Sequence, residues 1–136
     1  MKILFICRAN VGRSQMAESI FNKLTKKHSA TSAGVDPGKW EGKKLTETIY
    51  VLPSLKEIDI DVSENVSKKI KKQDVELADK IVVIGVEKEK WPDYLKDSNR
   101  TEYWDIKDPA NGDMNVHRMT RDQIKEKVKK LIEKLR

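Results

Sequence analysis

The feature that most constrains this chain is its start, where a buried-strand pattern gives way directly to a helical pattern. Residues 1–6 are apolar except for Lys2, which is typical of a strand covered on both faces of a sheet. From Ser14 onward, apolar residues recur at spacings of three and four, as on one face of a helix: Met16, Ala17, Ile20, Phe21 and Leu24. The chain therefore begins with a strand, a short loop and a helix.

Further strand and helix patterns alternate along the rest of the chain. Strands are predicted at Ala30 to Val35, at the β-branched run Ile81 to Ile84, and at Thr101 to Trp104. Such alternation predicts an α/β fold: a single doubly wound domain with a four-stranded parallel sheet flanked by helices. Ligands of such sheets bind beyond the carboxyl ends of the strands, where Cys7 lies.

The predicted helices after the first are less regular. Leu45 to Ile58 has a helical pattern, but Pro53 requires either a kink or a new segment near that proline. A short helix from Glu87 to Lys96 is interrupted at Trp91-Pro92. The last helix is predicted from about Arg121, with Thr120 and Gln123 as a capping box. Its apolar stripe consists of Ile124, Val128, Leu131, Ile132 and Leu135.

Composition limits the class of protein. A length of 136 residues predicts one domain over residues 1–136, and no apolar run approaches the ~20 residues of a membrane helix. The one cysteine excludes an internal disulfide and a cysteine-rich zinc cluster, and it fits a cytoplasmic protein. The net charge is +6, but Lys and Glu interleave and aromatic residues make up only 6%. A specific nucleic-acid surface and a membrane partner are therefore not expected.

The loop after the first strand combines the groups that bind an oxyanion and attack it. A helix N-terminus presents free backbone N–H groups and a partial positive charge, and Arg13 adds a planar fork that matches two anion oxygens. The same surroundings favour the thiolate form of Cys7, which is the nucleophilic form. Alternatively, Cys7 is only a small buried apolar residue at a strand end. The combination of Cys7, Arg13 and the helix start favours a phosphate-binding loop.

These residues resemble a known family. The segment Cys7-Arg8-Ala9-Asn10-Val11-Gly12-Arg13-Ser14 is a Cys-x5-Arg-Ser loop, as in the low-molecular-weight protein tyrosine phosphatases and the arsenate reductases of the same fold. The resemblance continues through Gln15-Met16-Ala17-Glu18, Ser32-Ala33-Gly34 and Asp108-Pro109. It therefore spans nearly the whole chain, in order.

The resemblance implies a role for each site residue. Cys7 would form a phosphocysteine, and Arg13 would bind the equatorial oxygens and stabilise the transition state. Asp108 would be the general acid, with Asp105 as the nearby competitor and an ordinary Asp-Pro turn as the alternative. Asn10 would keep the loop in shape. The phosphate would be held by the backbone amides of the substrate-binding loop residues, which are Arg8, Ala9, Asn10, Val11, Gly12 and Ser14.

Three departures from the family pattern bear on activity. Ala110-Asn111-Gly112 follows Asp108-Pro109, where tyrosine phosphatases of this family have aromatic residues that line the substrate cleft. Trp40 is therefore either the aromatic residue that lines the cleft in this chain or a packing residue. The relay cysteines of thioredoxin-coupled arsenate reductases would fall at Gly85 and near Trp91-Pro92. Neither is present, so arsenate reduction would require an external thiol or a glutaredoxin-type reductant.

The third departure concerns cations. Some reductases of this fold hold potassium with residues that match Asn10, Glu18 and Ser32, plus an acidic residue where this chain has Lys68. An ammonium there would replace the metal, so no cofactor and no metal are expected. The lone His28 and His117 have no neighbouring ligand pattern.

The first hypothesis is thus a cysteine-dependent phosphatase that hydrolyses a phosphomonoester. The substrate would be a phosphoprotein, such as one that carries phosphotyrosine, or a small molecule. The alternative is arsenate reduction at the same loop with an external thiol. The third is a non-catalytic module that binds anions or nucleic acid, against which the presence of both a nucleophile and an acid argues.

Overall fold

The computed structural model describes residues 1–135 and contains a four-stranded sheet with helices on both faces. The strands are β1 (Lys2–Cys7), β2 (Ser29–Gly34), β3 (Lys80–Ile84) and β4 (Thr101–Trp104). The α-helices are α1 (Arg13–Leu24), α2 (Val51–Lys56), α3 (Lys72–Leu77), α4 (Asp93–Lys96) and α5 (Met114–Lys134). All strand pairs are parallel, in the order β2-β1-β3-β4. The predicted four-stranded parallel α/β fold is confirmed.

The central strand β1 divides the apolar core into two layers. Ile3, Phe5 and Cys7 pack on one face of the sheet with side chains from α1, α2 and α5. Leu4 and Ile6 pack on the other face, against residues from α3 and α4. Since successive side chains of a strand point to opposite faces, a strand in the middle of two layers must be apolar throughout. Among residues 1–135, no helix is long and apolar enough to cross a membrane.

The segment around Pro53 forms two pieces, because a new helix begins just before the proline. A 3-10 turn spans Leu45–Glu47, and α2 then begins at Val51. Pro53 lies in the first turn of α2, where a missing N–H costs no helical hydrogen bond. Of the two predicted outcomes, a new segment is the correct one.

The predicted start of the last helix is wrong. Helix α5 begins at Met114, after Asp113, whose carboxylate accepts a hydrogen bond from the Val116 N–H at 3.0 Å. Thr120 is inside the helix, and its hydroxyl donates to the Val116 carbonyl at 3.0 Å. The first turns were missed because Val116 and Met119 are exposed, which interrupts the apolar stripe. Helix α3 was also missed, since its six residues bury only Val75.

Candidate active site

The Cys7–Ser14 loop lies at the carboxyl end of the central strand. Strand β1 ends at Cys7, which is 2% exposed, and α1 begins at Arg13. Asn10 has a left-handed φ of 59°, a conformation that Asn adopts more readily than most residues. This turn lets the chain curl from the strand into the helix within a few residues.

The backbone N–H groups of this loop are available to a ligand. Within residues 1–135, the N–H groups from Arg8 to Ser14 donate no hydrogen bond to a protein acceptor, and the first loop-to-helix bond runs from the Met16 N–H to the Gly12 carbonyl at 2.9 Å. Helix α1 has 12 residues, so its positive end faces the same loop. Free amides and a helix N-terminus together suit a tetrahedral oxyanion.

Asn10 is the structural centre of the loop. Its Oδ1 accepts hydrogen bonds from the Lys68 N–H at 2.9 Å and from Gln15 Nε2 at 3.1 Å. A backbone N–H can only donate, so the Lys68 bond fixes the orientation of the Asn10 amide. Its Nδ2 therefore donates to both Ser14 Oγ, at 2.8 Å, and Ser32 Oγ, at 2.9 Å.

This orientation determines the contact between Ser14 and Cys7. Ser14 Oγ lies 3.0 Å from Cys7 Sγ. Because Ser14 Oγ already accepts from Asn10, its own proton is free to point at the sulfur. The hydroxyl is then placed to donate a hydrogen bond to Cys7 Sγ. The buried network therefore fixes the Ser14 hydroxyl beside Cys7, the residue that the sequence predicts as the nucleophile.

Arg13 is held by backbone carbonyls that lie just after two later strands, β3 and β4. Its Nη1 donates to the Ile106 carbonyl at 2.9 Å and to the Gly85 carbonyl at 3.3 Å. Its Nη2 lies 3.6 Å from Asp108 Oδ2. Arg13 is 4% exposed, whereas the Asp108 side chain is 52% exposed. Two backbone carbonyls thus hold the Arg13 guanidinium in place, while the Asp108 carboxylate stays accessible to solvent.

Gly85 occupies the position where a relay cysteine would fall, and the structure requires a glycine there. Its φ is +64°, and an added Cβ would lie 1.9 Å from Arg13 Nη1 and 2.4 Å from the Ile106 carbonyl oxygen. Any side chain at this position would displace Arg13. No sequence pattern in this chain indicates that constraint.

Cys7, Arg13 and Asp108 meet at one cleft of about 290 Å3, which we call the Cys7 cleft. Trp40 lines it from a 3-10 turn at Gly38–Trp40. Its lining also includes Ala9, Val11 and Gly12 of the loop, and Glu47, Thr48, Ile49, Tyr50, Val51, Pro109, Ala110 and His117 from other segments.

The remaining predicted residues have different positions. Arg8 is exposed and Ser14 is buried. Four predicted residues do not line the Cys7 cleft: Arg8, Asn10, Ser14 and Asp105. Sequence reasoning missed Tyr50 and His117, whose rings are in contact, with centroids 5.1 Å apart. No local pattern connects two residues so distant in the chain.

Glu18 belongs to the same hydrogen-bond network as Asn10. Ser32 Oγ donates to Glu18 Oε1 at 2.8 Å and accepts from Asn10. Burial raises the pKa of Glu18, although the hydrogen bond from Ser32 and the charge of Lys68 act in the opposite direction. The structure therefore brings together the residues that match the potassium ligands of related reductases, with Lys68 beside them.

Comparison with known proteins gives a consistent family and two kinds of activity. The family model described as low molecular weight phosphotyrosine protein phosphatase matches residues 2–136. The glutaredoxin arsenate reductase of Synechocystis sp. is 29% identical over 136 residues, which covers 98% of both chains. A low-molecular-weight protein tyrosine phosphatase from T. tengcongensis superposes with a TM-score of 0.81 at 28% identity, covering 98% of this chain and 99% of that one. An arsenate reductase in its phosphate-binding state superposes with a TM-score of 0.78 at 28% identity, covering 99% and 98%.

Proposed function

The chain belongs to the low-molecular-weight phosphotyrosine protein phosphatase family, and from this premise we propose that it hydrolyses a phosphomonoester through a phosphocysteine at Cys7. The family consists of enzymes, which argues against a module that only binds anions or nucleic acid. We propose a phosphorylated protein or a small phosphomonoester as substrate, in the cytoplasm.

In the first step, the Cys7 thiolate attacks phosphorus. The S–P bond forms while the bond from phosphorus to the leaving oxygen breaks, and the carboxylic acid of Asp108 gives its proton to that oxygen. The free amides of the Cys7–Ser14 loop and the Arg13 guanidinium hold the equatorial oxygens, where negative charge is concentrated.

In the second step, water hydrolyses the phosphocysteine. The Asp108 carboxylate takes a proton from water as the new P–O bond forms and the S–P bond breaks. Cys7 leaves as a thiolate, which the Ser14 hydroxyl stabilises from 3.0 Å. Inorganic phosphate then departs and the enzyme returns to its starting state.

The observation that carries this proposal is the arrangement of Asp108 beside Arg13 at the mouth of a cleft with room for a leaving group. The carboxylate is 3.6 Å from the guanidinium and half exposed, so it is within reach of an ester oxygen on a phosphate held by Arg13. Arsenate is a small ion that fills only the loop, whereas the Cys7 cleft extends to Trp40 and Tyr50.

The proposal is tested with para-nitrophenyl phosphate and a poorer leaving group such as an alkyl phosphate. We expect Cys7→Ser to abolish turnover, and Asp108→Asn to lower the rate on the alkyl phosphate by ~10²–10⁴. Asp105→Asn is the matched control, because Asp105 lies outside the Cys7 cleft. No turnover by the parent protein, or an equal loss in both Asp variants, would contradict the assignment.

A second candidate function is arsenate reduction by an external thiol. The curated relative named above is a glutaredoxin arsenate reductase, which supports this function more directly than it supports the phosphatase. Cys7 would displace water from arsenate, and an external thiol would then attack Cys7 Sγ. Arsenite would leave with the electron pair of the S–As bond, and a second thiol would reduce the mixed disulfide.

The two functions differ in the reductant they need. Cys7 is the one cysteine among the 136 residues, so both electrons must come from thiols outside this chain. Arsenite production that depends on added glutathione and glutaredoxin, exceeding phosphomonoester turnover in kcat/KM, would place reduction first. Phosphomonoester turnover with no arsenite formed under the same conditions would remove reduction.

A further inference from the structure

The Cys7 cleft contains an aromatic pair that the proposed mechanism does not use. Tyr50 precedes α2 and His117 lies in the first turn of α5, yet both line the cleft. Their ring centroids are 5.1 Å apart, with 42° between the ring planes. This separation is within the range of favourable aromatic pairs.

His117 is held in one orientation. Its Nδ1 lies 2.8 Å from the Asp113 carbonyl oxygen, and that oxygen can only accept a hydrogen bond. Nδ1 therefore carries the proton and donates it. His117 is 5% exposed, so its ring is a fixed support against which Tyr50 rests. Tyr50 itself is only half-buried and keeps surface toward the cleft.

The surrounding cleft has apolar walls, but no aromatic residue directly follows Asp108-Pro109. The residues that follow Pro109 begin with Ala110, which leaves that side of the cleft open. Its volume of about 290 Å3 is near the lower end of the ~300–1,000 Å3 of ordinary ligand sites. Such a space suits a phosphate together with one ring-sized group.

We propose that Tyr50, supported by His117, is the specificity-determining wall that contacts a ring-shaped group next to the phosphate. This inference rests on the proposed function for its physiological meaning. In this chain an aromatic wall is supplied by the residue just before α2 instead of by the segment directly after Asp108-Pro109. Substrates with an aryl group beside the phosphate are favoured over alkyl phosphates of the same charge.

The test compares benzylphosphonate with methylphosphonate, which share a head group that the enzyme cannot hydrolyse. Affinities are measured by calorimetry on the intact protein. Wild-type protein is expected to prefer benzylphosphonate, and Tyr50→Leu is expected to lower that preference about tenfold with methylphosphonate affinity unchanged. Tyr50→Phe and His117→Phe keep a ring at each position and are expected to retain the preference.

Tyr103→Leu is the matched control, because Tyr103 is an exposed tyrosine on β4 outside the cleft. An equal loss of both affinities in Tyr50→Leu, or no preference in the wild type, would overturn the inference and leave Tyr50 as a packing residue. The binding readout is independent of turnover. A Tyr50-dependent preference in a protein that hydrolyses no phosphomonoester would sink the proposed function and leave this inference standing.

Discussion

Replacing Gly85 with alanine tests whether the backbone behind Arg13 determines activity. The added Cβ would lie 1.9 Å from Arg13 Nη1 and 2.4 Å from the Ile106 carbonyl oxygen, and Gly85 has a φ of +64°. The guanidinium must therefore move away from the two carbonyls that hold it, at 2.9 and 3.3 Å. Misplacing one preorganised donor costs ~10²–10³ in rate, which we expect in kcat/KM for para-nitrophenyl phosphate.

The matched control separates this clash from the cost of the backbone conformation. Gly42 has a φ of +83°, and a Cβ added there would meet nothing within 4 Å. Gly42→Ala should lose only the ~1–2 kcal/mol of a left-handed residue, with wild-type turnover. Gly85→Ala should lose stability and turnover together.

Both variants are measured by urea unfolding and by steady-state kinetics. Turnover of Gly85→Ala within about twofold of the wild type would refute the reasoning, because Arg13 would then tolerate displacement. An equal loss of turnover in both glycine variants would also refute it, since the clash exists only at Gly85. If inorganic phosphate inhibits Gly85→Ala more weakly than the wild type and Gly42→Ala, this result would support displacement of the Arg13 guanidinium.

Three further variants test the network, the charges and the core. Ser14→Ala removes the hydroxyl 3.0 Å from Cys7 Sγ, so kcat/KM should fall ~10–100-fold, whereas Ser19→Ala on the same helix should leave it unchanged; equal effects would contradict the network. Hydrogen bonds from two α5 arginines lower the pKa of Glu57 from 4.5 to about 2. A lowered folded pKa stabilises the protein above pH 4.5 and loses this contribution as pH falls toward 2, so melting curves of Glu57→Gln should show a shallower acid dependence in that range; parallel curves would exclude it. Ile124→Ala empties a fully buried position and should cost ~2–5 kcal/mol in urea unfolding, and a cost below ~1 kcal/mol would mean that α5 repacks.

Local sequence patterns were sufficient for the elements that position the nucleophile. The apolar run before Cys7 predicts a strand because a strand between two layers must be apolar on both sides, and both core clusters contain residues of β1. The spacing from Met16 to Leu24 predicts α1 for the same local reason. The start of α5 was not predictable from spacing, because the Asp113 cap stands before two exposed apolar residues that break the periodicity.

Features that depend on contacts between residues far apart in the sequence were not predictable from it. Gly85 in the sequence is an ordinary turn glycine, and its constraint comes from a guanidinium that belongs to residue 13. Tyr50 and His117 have no shared pattern and meet only because α2 and α5 pack together on one face of the sheet. Asn10 was expected to keep the loop in shape, but the direction of its amide follows from the Lys68 N–H.

By itself, then, the sequence determined the four strands, the first helix and the Cys7–Ser14 loop, because these depend on neighbours within about one helical turn or one strand, and motifs in order along the chain carried the family resemblance. Only the tertiary structure decided how Arg13 is held, which acid lies beside it and which rings wall the cleft. Those features depend on backbone carbonyls just after β3 and β4, on Asp108 and Tyr50 in loops and on His117 of α5, which the packing of the sheet layers brings to one cleft.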